Sequence, residues 1–276
     1  MKILKILSGL SAKYWKRNDR IVQKELLGVS LKVIDGTIRK EDYDDAWFYL
    51  LAKNSSVFFD IGCNIGQTSI VANLTGNIQR IVLVDPNPEA VLSASKNLIL
   101  NDLASNCSFY TAFVSEASDD SVKFYTVGVG SAGSIFASHA ETARLLNSFY
   151  YVKTVTIDYL ITYYNLIPDL VKIDVEGAEM MVLKGANKLA AHQKSRFIIE
   201  MHVTDELSME KNGDQVVAWA KMNSYRTYFL VDGIEMLNGA PIAHRGRCHV
   251  LLQPSTWDYP DFLRDVKEGS PLPKIN

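Results

Sequence analysis

Cysteine is scarce in this chain. Its three residues, Cys63, Cys107 and Cys248, stand far apart among 276, and none forms a C-x-x-C pair. That spacing excludes a zinc ribbon and a disulfide framework and fits a reducing cytoplasm. An excess of one charge is missing too. Lys and Arg number 29 against 31 Asp and Glu, a formal net charge of -2. Such a chain has no global basic field to draw nucleic acid or an anionic membrane, so nucleic acid is not an expected partner. No apolar run is long enough to span a bilayer. The opening Met1–Ala12 is only faintly signal-like, because Lys5 interrupts it and Lys13, Lys16 and Arg17 follow closely. Its leucine spacing predicts an amphipathic helix that packs on the domain, with weak peripheral membrane contact as the alternative. Repeats and low-complexity tracts are absent.

What is present is apolar content of 47%, enough for one large core. Residues 1–54 read as an N-terminal helical extension with a strand-like Leu27–Ile34 inside it. From Ser56 the rhythm becomes strand, helix, strand, helix. Strands are expected at Val57–Ile61, Gln79–Asp85, Asn106–Ala112, Asp169–Asp174 and Arg196–Glu200. Helices are expected over Gln67–Leu74, Pro88–Leu100, Glu176–Ala191 and part of Leu207–Met222. Ser121–Val127 alternates as an edge strand or hairpin arm would. Thr227–Leu237 carries Asp232-Gly233 between apolar arms, a hairpin signal, and His249–Gln253 reads as one more strand. The expected architecture is α/β, with a mostly parallel sheet covered on both faces and a C-terminal antiparallel hairpin. The catalytic domain is expected over 55–256, with 257–276 as a tail.

The most informative segment is Asp60-Ile-Gly-Cys-Asn-Ile-Gly66, a glycine turn between a buried strand and a helix. Gly62 and Gly66 allow close approach of backbone to a ligand. The pattern is D-x-G-x-N-x-G and not G-x-G-x-x-G. A carboxylate at the strand end repels a pyrophosphate but suits a cation, so the first expectation is a methyl donor carrying an ammonium and a sulfonium. Asp60 either orders the turn or receives that ammonium. Asp85 ends the second strand, 23 residues after Gly62, where an acid can accept from both ribose hydroxyls. Pro86, Asn87 and Pro88 then open the next helix.

Further along, Asp174 ends a buried strand. Lys172 shares its face by the period of two, and a salt bridge is the plain explanation of that pair. Glu176 and Glu179 would sit in the first helical turn, where carboxylates complement the dipole. Glu200 and His202 share a face of the adjacent strand, so Asp174, Glu176, Glu200 and His202 should converge. His202 is the candidate general base.

The blocks Thr156–Leu160, Val171-Lys-Ile-Asp-Val-Glu-Gly-Ala-Glu179, Leu183–Ala186 and Ile199-Glu-Met-His202, with Asp60–Gly66 and Val84–Pro88, resemble the FkbM family of S-adenosylmethionine-dependent methyltransferases. The resemblance covers about residues 55 to 205. It implies a seven-stranded Rossmann-like methyltransferase sheet and methylation of a hydroxyl on a small molecule or sugar. It places Asp60, Gly62, Asn64 and Gly66 at the methionine end of the donor, Asp85 at the ribose and Asp174 beside the reacting centre. Ala112, Phe113 and Ser115 would border the adenine. The family often has Glu where this chain has Asp85, which keeps the chemistry and shortens the reach.

For methyl transfer to a hydroxyl, the expected catalytic residues are His202, or Glu200 through it, with Asp174 orienting a reactant. A second mechanism places a divalent cation on Asp174, Glu176 and Glu200. Carboxylates at a helix start are more often caps than ligands, so no metal is assigned. Two further readings use the same residues, a non-catalytic adenosyl-ligand-binding protein and an NAD-dependent oxidoreductase. The latter lacks a G-x-G-x-x-G turn and a Tyr-x-x-x-Lys pair. The aromatics Phe149, Tyr150, Tyr151, Tyr159, Tyr163 and Tyr164 are expected to pack into the core at helical spacing, with the wall of an acceptor pocket as the alternative, and the Gly128–Ser134 loop is a candidate lid or a passive hairpin end.

Overall fold

The computed structural model describes residues 20–39, 45–126, 133–135, 141–205 and 207–275. The helix expected near the N-terminus, residues 40–44 of the charged run and most of the candidate lid lie outside them.

The described chain opens with a hairpin, β1 (Ile21–Leu26) and β2 (Val29–Ile34). Leu27 and Gly28, at φ 56° and 79°, form the turn, as a two-residue hairpin loop with both φ positive requires. Ile21–Leu26 supplies a strand partner for the segment read as a lone strand. Helix α1 (Asp45–Lys53) follows, with Trp47, Phe48 and Leu51 each 1% exposed.

The alternating units then run in order. They are β3 (Val57–Ile61), α2 (Gln67–Leu74), β4 (Arg80–Asp85), α3 (Pro88–Ile99) and β5 (Cys107–Thr111). Next come β6 (Phe113–Val114), β7 (Ser121–Tyr125), α4 (Glu141–Leu145), β8 (Phe149–Val155), α5 (Ile157–Tyr164), β9 (Leu170–Ile173) and α6 (Glu179–Lys184). The chain closes with α7 (Asn187–Ala191), β10 (Arg196–His202), α8 (Met209–Met222), β11 (Tyr225–Phe229), β12 (Ile234–Met236) and β13 (Arg247–Pro254). Pro88 begins α3 and Asn87 caps it, its side chain accepting from the Glu89 N–H at 3.0 Å.

The main sheet has eight strands in the order β12-β11-β13-β10-β9-β3-β4-β5. The five from β10 to β5 are parallel, and β13 runs antiparallel to both β10 and β11. The expected count of seven is therefore corrected to eight. The Asp232-Gly233 turn, with Gly233 at φ 65°, folds β12 back onto the outer edge of β11. A separate small sheet, β6-β8-β7, holds Phe149, Tyr150 and Tyr151 on a strand, not a helix. Tyr151 is 70% exposed and Tyr163 60%, so they are not core residues.

Period-two alternation gives the sheet two buried faces. Phe59, Ile61, Val171, Ile173, Phe197 and Ile199 pack under α5 to α8. Phe58, Leu170, Ile198 and Leu251 pack on the other face under α1 and α2, together with Leu31 and Val33 of the hairpin and Leu263 and Leu272 of the tail. Long-range caps hold the loops between layers. Asp158 accepts from the N–H groups of Lys188 and Leu189 at 2.9 Å each and so caps the start of α7. Asp158→Ala should lower the unfolding free energy by about 1–2 kcal/mol, the usual worth of an N-cap carboxylate; urea melts of the two proteins measure it.

Candidate active site

The second buried face changes character at the carboxyl ends of the strands. Phe58 is followed two residues on by Asp60, Leu170 by Lys172 and Ile198 by Glu200. In β13, which runs the other way, Leu251 is preceded by His249. The register sets Asp60 opposite Lys172 and Glu200 opposite His249. One face thus carries a hydrophobic base and an ionised rim.

Two cations organise that rim. The Lys172 ammonium, on a residue 5% exposed, lies 2.8 Å from Asp174 Oδ2. His202 lies among three carboxylates. Its Nδ1 is 2.9 Å from Oε1 of Glu179, and its Nε2 is 3.5 Å from Glu200 and 3.6 Å from Glu176. Glu179 has no exposed surface. Burial lowers the His202 pKa, but the hydrogen bonds to Glu179 and Glu200 and the charges of Glu179 and Glu176 outweigh it and carry the ring up to about 11. Burial likewise raises Glu200, yet hydrogen bonds from His202 and His249 and the charge of Lys172 hold it well below the usual carboxylate range. His202 is therefore an imidazolium at neutral pH. A ring that carries this proton is a poor proton acceptor, which weighs against the expected role as general base. Asn212 completes the cluster, donating to the His202 carbonyl at 3.0 Å and to Glu179 at 3.4 Å.

Beside this rim opens a cleft of about 640 Å³. The Gly62 turn, the tip of β4 and the loop after β9 form it, through Gly62, Asn64, Asp85, Asp174 and Glu176. Pro86 and Asn87 line it from the start of α3, and Ala112, Phe113 and Phe124 wall the far side. The backbone here is unusual: Gly62, Asn64, Gly66, Glu176 and Gly177 all have positive φ. At Gly62 a Cβ would lie 1.8 Å from the Asp174 carbonyl oxygen, so the turn and the β9 loop touch through bare backbone. The left-handed pair Glu176-Gly177 also delays the helix expected from Glu176, which starts at Glu179.

Asp85 anchors the cleft. Its oxygens accept from the Asn64 N–H at 2.9 Å and the Asn87 N–H at 2.8 Å. Burial pushes its pKa up to about 6, against those two hydrogen bonds. Asp60 and Gly66, expected at the donor, stand behind the turn instead of lining the cleft. Asp60 is fully buried, accepts from the Ser69 hydroxyl at 2.7 Å and orders the start of α2. Burial raises its pKa and Lys172 opposes the rise. Ser115 is outside the lining as well, its N–H bonded to Val155 O at 2.8 Å. Sequence reasoning missed Phe124 of the small sheet, and it missed Arg247 and His249, which reach Glu200 at 3.2 and 3.3 Å from β13. The only signal for those two was the pairing of β13 with β10, which no local pattern encodes.

Ligand atoms of Asp174, Glu200 and His202 lie within 4.8 Å of one another, the one metal-like grouping among the described residues. In this metal-free arrangement Lys172 and His202 supply positive charge beside these carboxylates. No helix among the described residues is long and apolar enough to cross a membrane.

The family described as the methyltransferase FkbM domain matches residues 60–227. That span is more than half of the chain, and this protein belongs to the FkbM methyltransferase family. No curated protein matches it. Among solved structures it is similar to the methyltransferase FkbM from Methylobacillus flagellatus KT, at 16% identity and a TM-score of 0.46, over 72% of this chain and 43% of that one. It therefore spans less than half the length of that relative. It is also similar to M. jannaschii TYW2 in complex with AdoMet, at 15% identity and a TM-score of 0.44, over 85% of each chain. A third is the B. subtilis M1A22 tRNA methyltransferase TrmK, at 12% identity and a TM-score of 0.45, over 78% of this chain and 67% of that one. Likenesses of this size say nothing of donor or acceptor.

Two outcomes follow from the buried charges. The folded pKa of His202 lies above its unfolded value of 6.5. Its contribution is fully present below pH 6.5 and is lost as pH rises toward 11. Urea stability should therefore fall across that window, and His202→Gln should flatten the fall. Lys172→Met should cost about 3–5 kcal/mol at pH 7, because it leaves Asp60 and Asp174 without their buried partner. Chemical denaturation at pH 7 reads that loss directly.

Proposed function

We infer that the chain transfers a methyl group from S-adenosylmethionine to a hydroxyl oxygen of a small molecule or sugar. One observation carries the donor assignment. Asp85, Asp174 and Glu176 line the cleft, and no Lys, Arg or His does so among the described residues. A pyrophosphate would meet three carboxylates there, which disfavours NAD. A sulfonium and an ammonium would meet complementary charge. Membership of a methyltransferase family supports the same donor and favours catalysis over a purely binding role.

In this reading Asp85 accepts from the ribose hydroxyls, while Ala112 and Phe113 flank the adenine. Asn64, Pro86 and Asn87 shape the wall between them. The sulfonium then lies toward Asp174, whose side chain is 28% exposed. Transfer is an in-line displacement in which the positive charge on sulfur is lost. The protein contributes alignment, which is worth about 7–11 kcal/mol in ideal cases. Asp174, held by Lys172, orients the acceptor hydroxyl and is the nearest carboxylate to take its proton. Glu200 and His202 act at one remove: the imidazolium holds Glu176 and Glu200 in place. Residues 55–256 form the catalytic domain, with the hairpin and tail packed on one face.

Incubation of the chain with methyl-labelled donor and separate metabolite, glycan and RNA fractions tests the acceptor. Label in a hydroxyl-bearing metabolite or glycan is the expected outcome, and label confined to RNA contradicts it. Activity should survive exhaustive EDTA treatment. Calorimetry with S-adenosylhomocysteine should show affinity rising with pH through about 6 as Asp85 ionises. Asp85→Asn should weaken binding by about tenfold or more at pH 7.5, the worth of a charged hydrogen bond, and remove that pH dependence. A flat profile in the natural chain would refute the ribose assignment.

A further inference from the structure

The main sheet ends at β12 on one side and at β5 on the other, and the two edges differ. Strand β12 is three residues long, and its Glu235 lies 4.0 Å from Arg226. A short edge that carries charge resists pairing with another chain. Strand β5, Cys107-Ser-Phe-Tyr-Thr111, is longer and has neither a charge nor a proline. None of its five residues is buried, whereas all four of β9 are.

The backbone of β5 is open along its outer side. Ile81 of β4 donates to the Asn106 carbonyl at 3.0 Å and stands opposite Cys107. The parallel ladder therefore turns the backbone groups of Ser108 and Tyr110 toward β4, and those of Phe109 and Thr111 away from it. The Cys107 N–H is taken by the Ala104 carbonyl at 3.1 Å. The N–H groups of Phe109 and Thr111 have no acceptor among the described residues. Phe109 is half-buried and Thr111 exposed, so water can reach these groups and a strand can replace it.

Four tyrosines flank this edge, Tyr110 on β5 and Tyr159, Tyr163 and Tyr164 on α5. Tyr159 and Tyr163, one helical turn apart, stack with ring centres 5.7 Å apart and planes at 22°. Tyr110 meets Tyr163 edge-on at 5.6 Å. Tyr159 is 36% exposed and Tyr163 60%. None of the four lines the adenosyl cleft. The one charged residue of α5, Asp158, is engaged in capping α7. The strip made by β5 and α5 is therefore aromatic and carries no cation. Tyrosine is enriched at protein interfaces, where its ring supplies area and its hydroxyl a hydrogen bond.

A strip without cations offers nothing to a phosphate backbone. A strip of this kind meets its own copy without repulsion, and an antiparallel pair about a two-fold axis sets each strand against the same strand of the other copy. We propose that β5 pairs antiparallel with β5 of a second copy of this chain, so that the two sheets join into one with the tyrosines packed at the junction. About an axis at Phe109, each Phe109 N–H donates to the other copy's Phe109 carbonyl, and each Thr111 N–H donates to the other's Cys107 carbonyl. The pairing is independent of donor and acceptor. It also steadies Ala112 and Phe113, which follow β5 into the cleft wall.

Light scattering of the full chain at rising micromolar concentration, with amide exchange read residue by residue, tests this pairing. The natural chain should reach twice the mass of one chain and go no further. The Phe109 and Thr111 amides should become protected as the dimer forms. Thr111→Lys and Tyr163→Lys change exposed residues and set like charges against each other across the axis. Each should raise the dimer dissociation constant by about tenfold or more, the effect of losing an interface tyrosine, and free the two amides to exchange. A natural chain that stays monomeric at the highest concentration would overturn the proposal. So would a dimer whose Phe109 and Thr111 amides exchange freely, a dimer that both lysine variants leave intact, or assembly beyond two copies. Exchange in the natural chain alone decides the matter if a variant fails to fold.

Discussion

The imidazolium of His202 sets the arrangement of everything around the cleft. Glu179 is wholly buried and Glu200 nearly so. Neither could hold a charge there without a cation inside the same hydrogen-bonded cluster, since an unpaired buried carboxylate costs several kcal/mol. The His202 ring offsets that cost for Glu179, shares Glu200 with Arg247 and His249, and reaches Glu176 as well. Lys172 does the same on the neighbouring strand, between Asp60 and Asp174. Asp85, Asp174 and Glu176 line the cleft, the last two with Lys172 and His202 behind them.

This division of labour explains why the cleft is acidic without being unstable. The rim charges continue the alternation that buries the sheet: each parallel strand of the rim gives its first residues to apolar packing and its last to an ionisable group. The glycine turn then sets backbone against backbone where Gly62 meets Asp174, which brings the loop after β9 and its carboxylates to the edge of the cleft.

Much of this was legible in the residues. The strand and helix rhythm from Val57 to Met222, the turn at Gly62 and the acids at the tips of β4 and β9 follow from period and spacing. Lys172 with Asp174, and Glu200 with His202, share faces for the same reason. Other features depend on long-range pairing. The insertion of β13 beside β10 brings His249 and Arg247 to Glu200, and nothing local in Arg247–Pro254 announces it. The protonation of His202 was also hidden, because it requires knowing that Glu179, 23 residues away, turns back onto the ring. The delayed start of α6 came from a left-handed Glu176, a conformation that a residue of this type adopts only under the constraint of its surroundings. Of the two roles the residues left open for Asp60, ordering the turn or receiving the ammonium, its burial against Ser69 matches the first.

The most direct test of this account is nitrogen NMR of the histidine rings in the full-length protein. Between pH 7.5 and 9, His202 should show both ring nitrogens protonated, with the hydrogen-bonded Nδ1 proton protected from exchange. A neutral His202 ring in that range, titrating near the ordinary value of about 6.5, would contradict the charge balance on which the cleft is built.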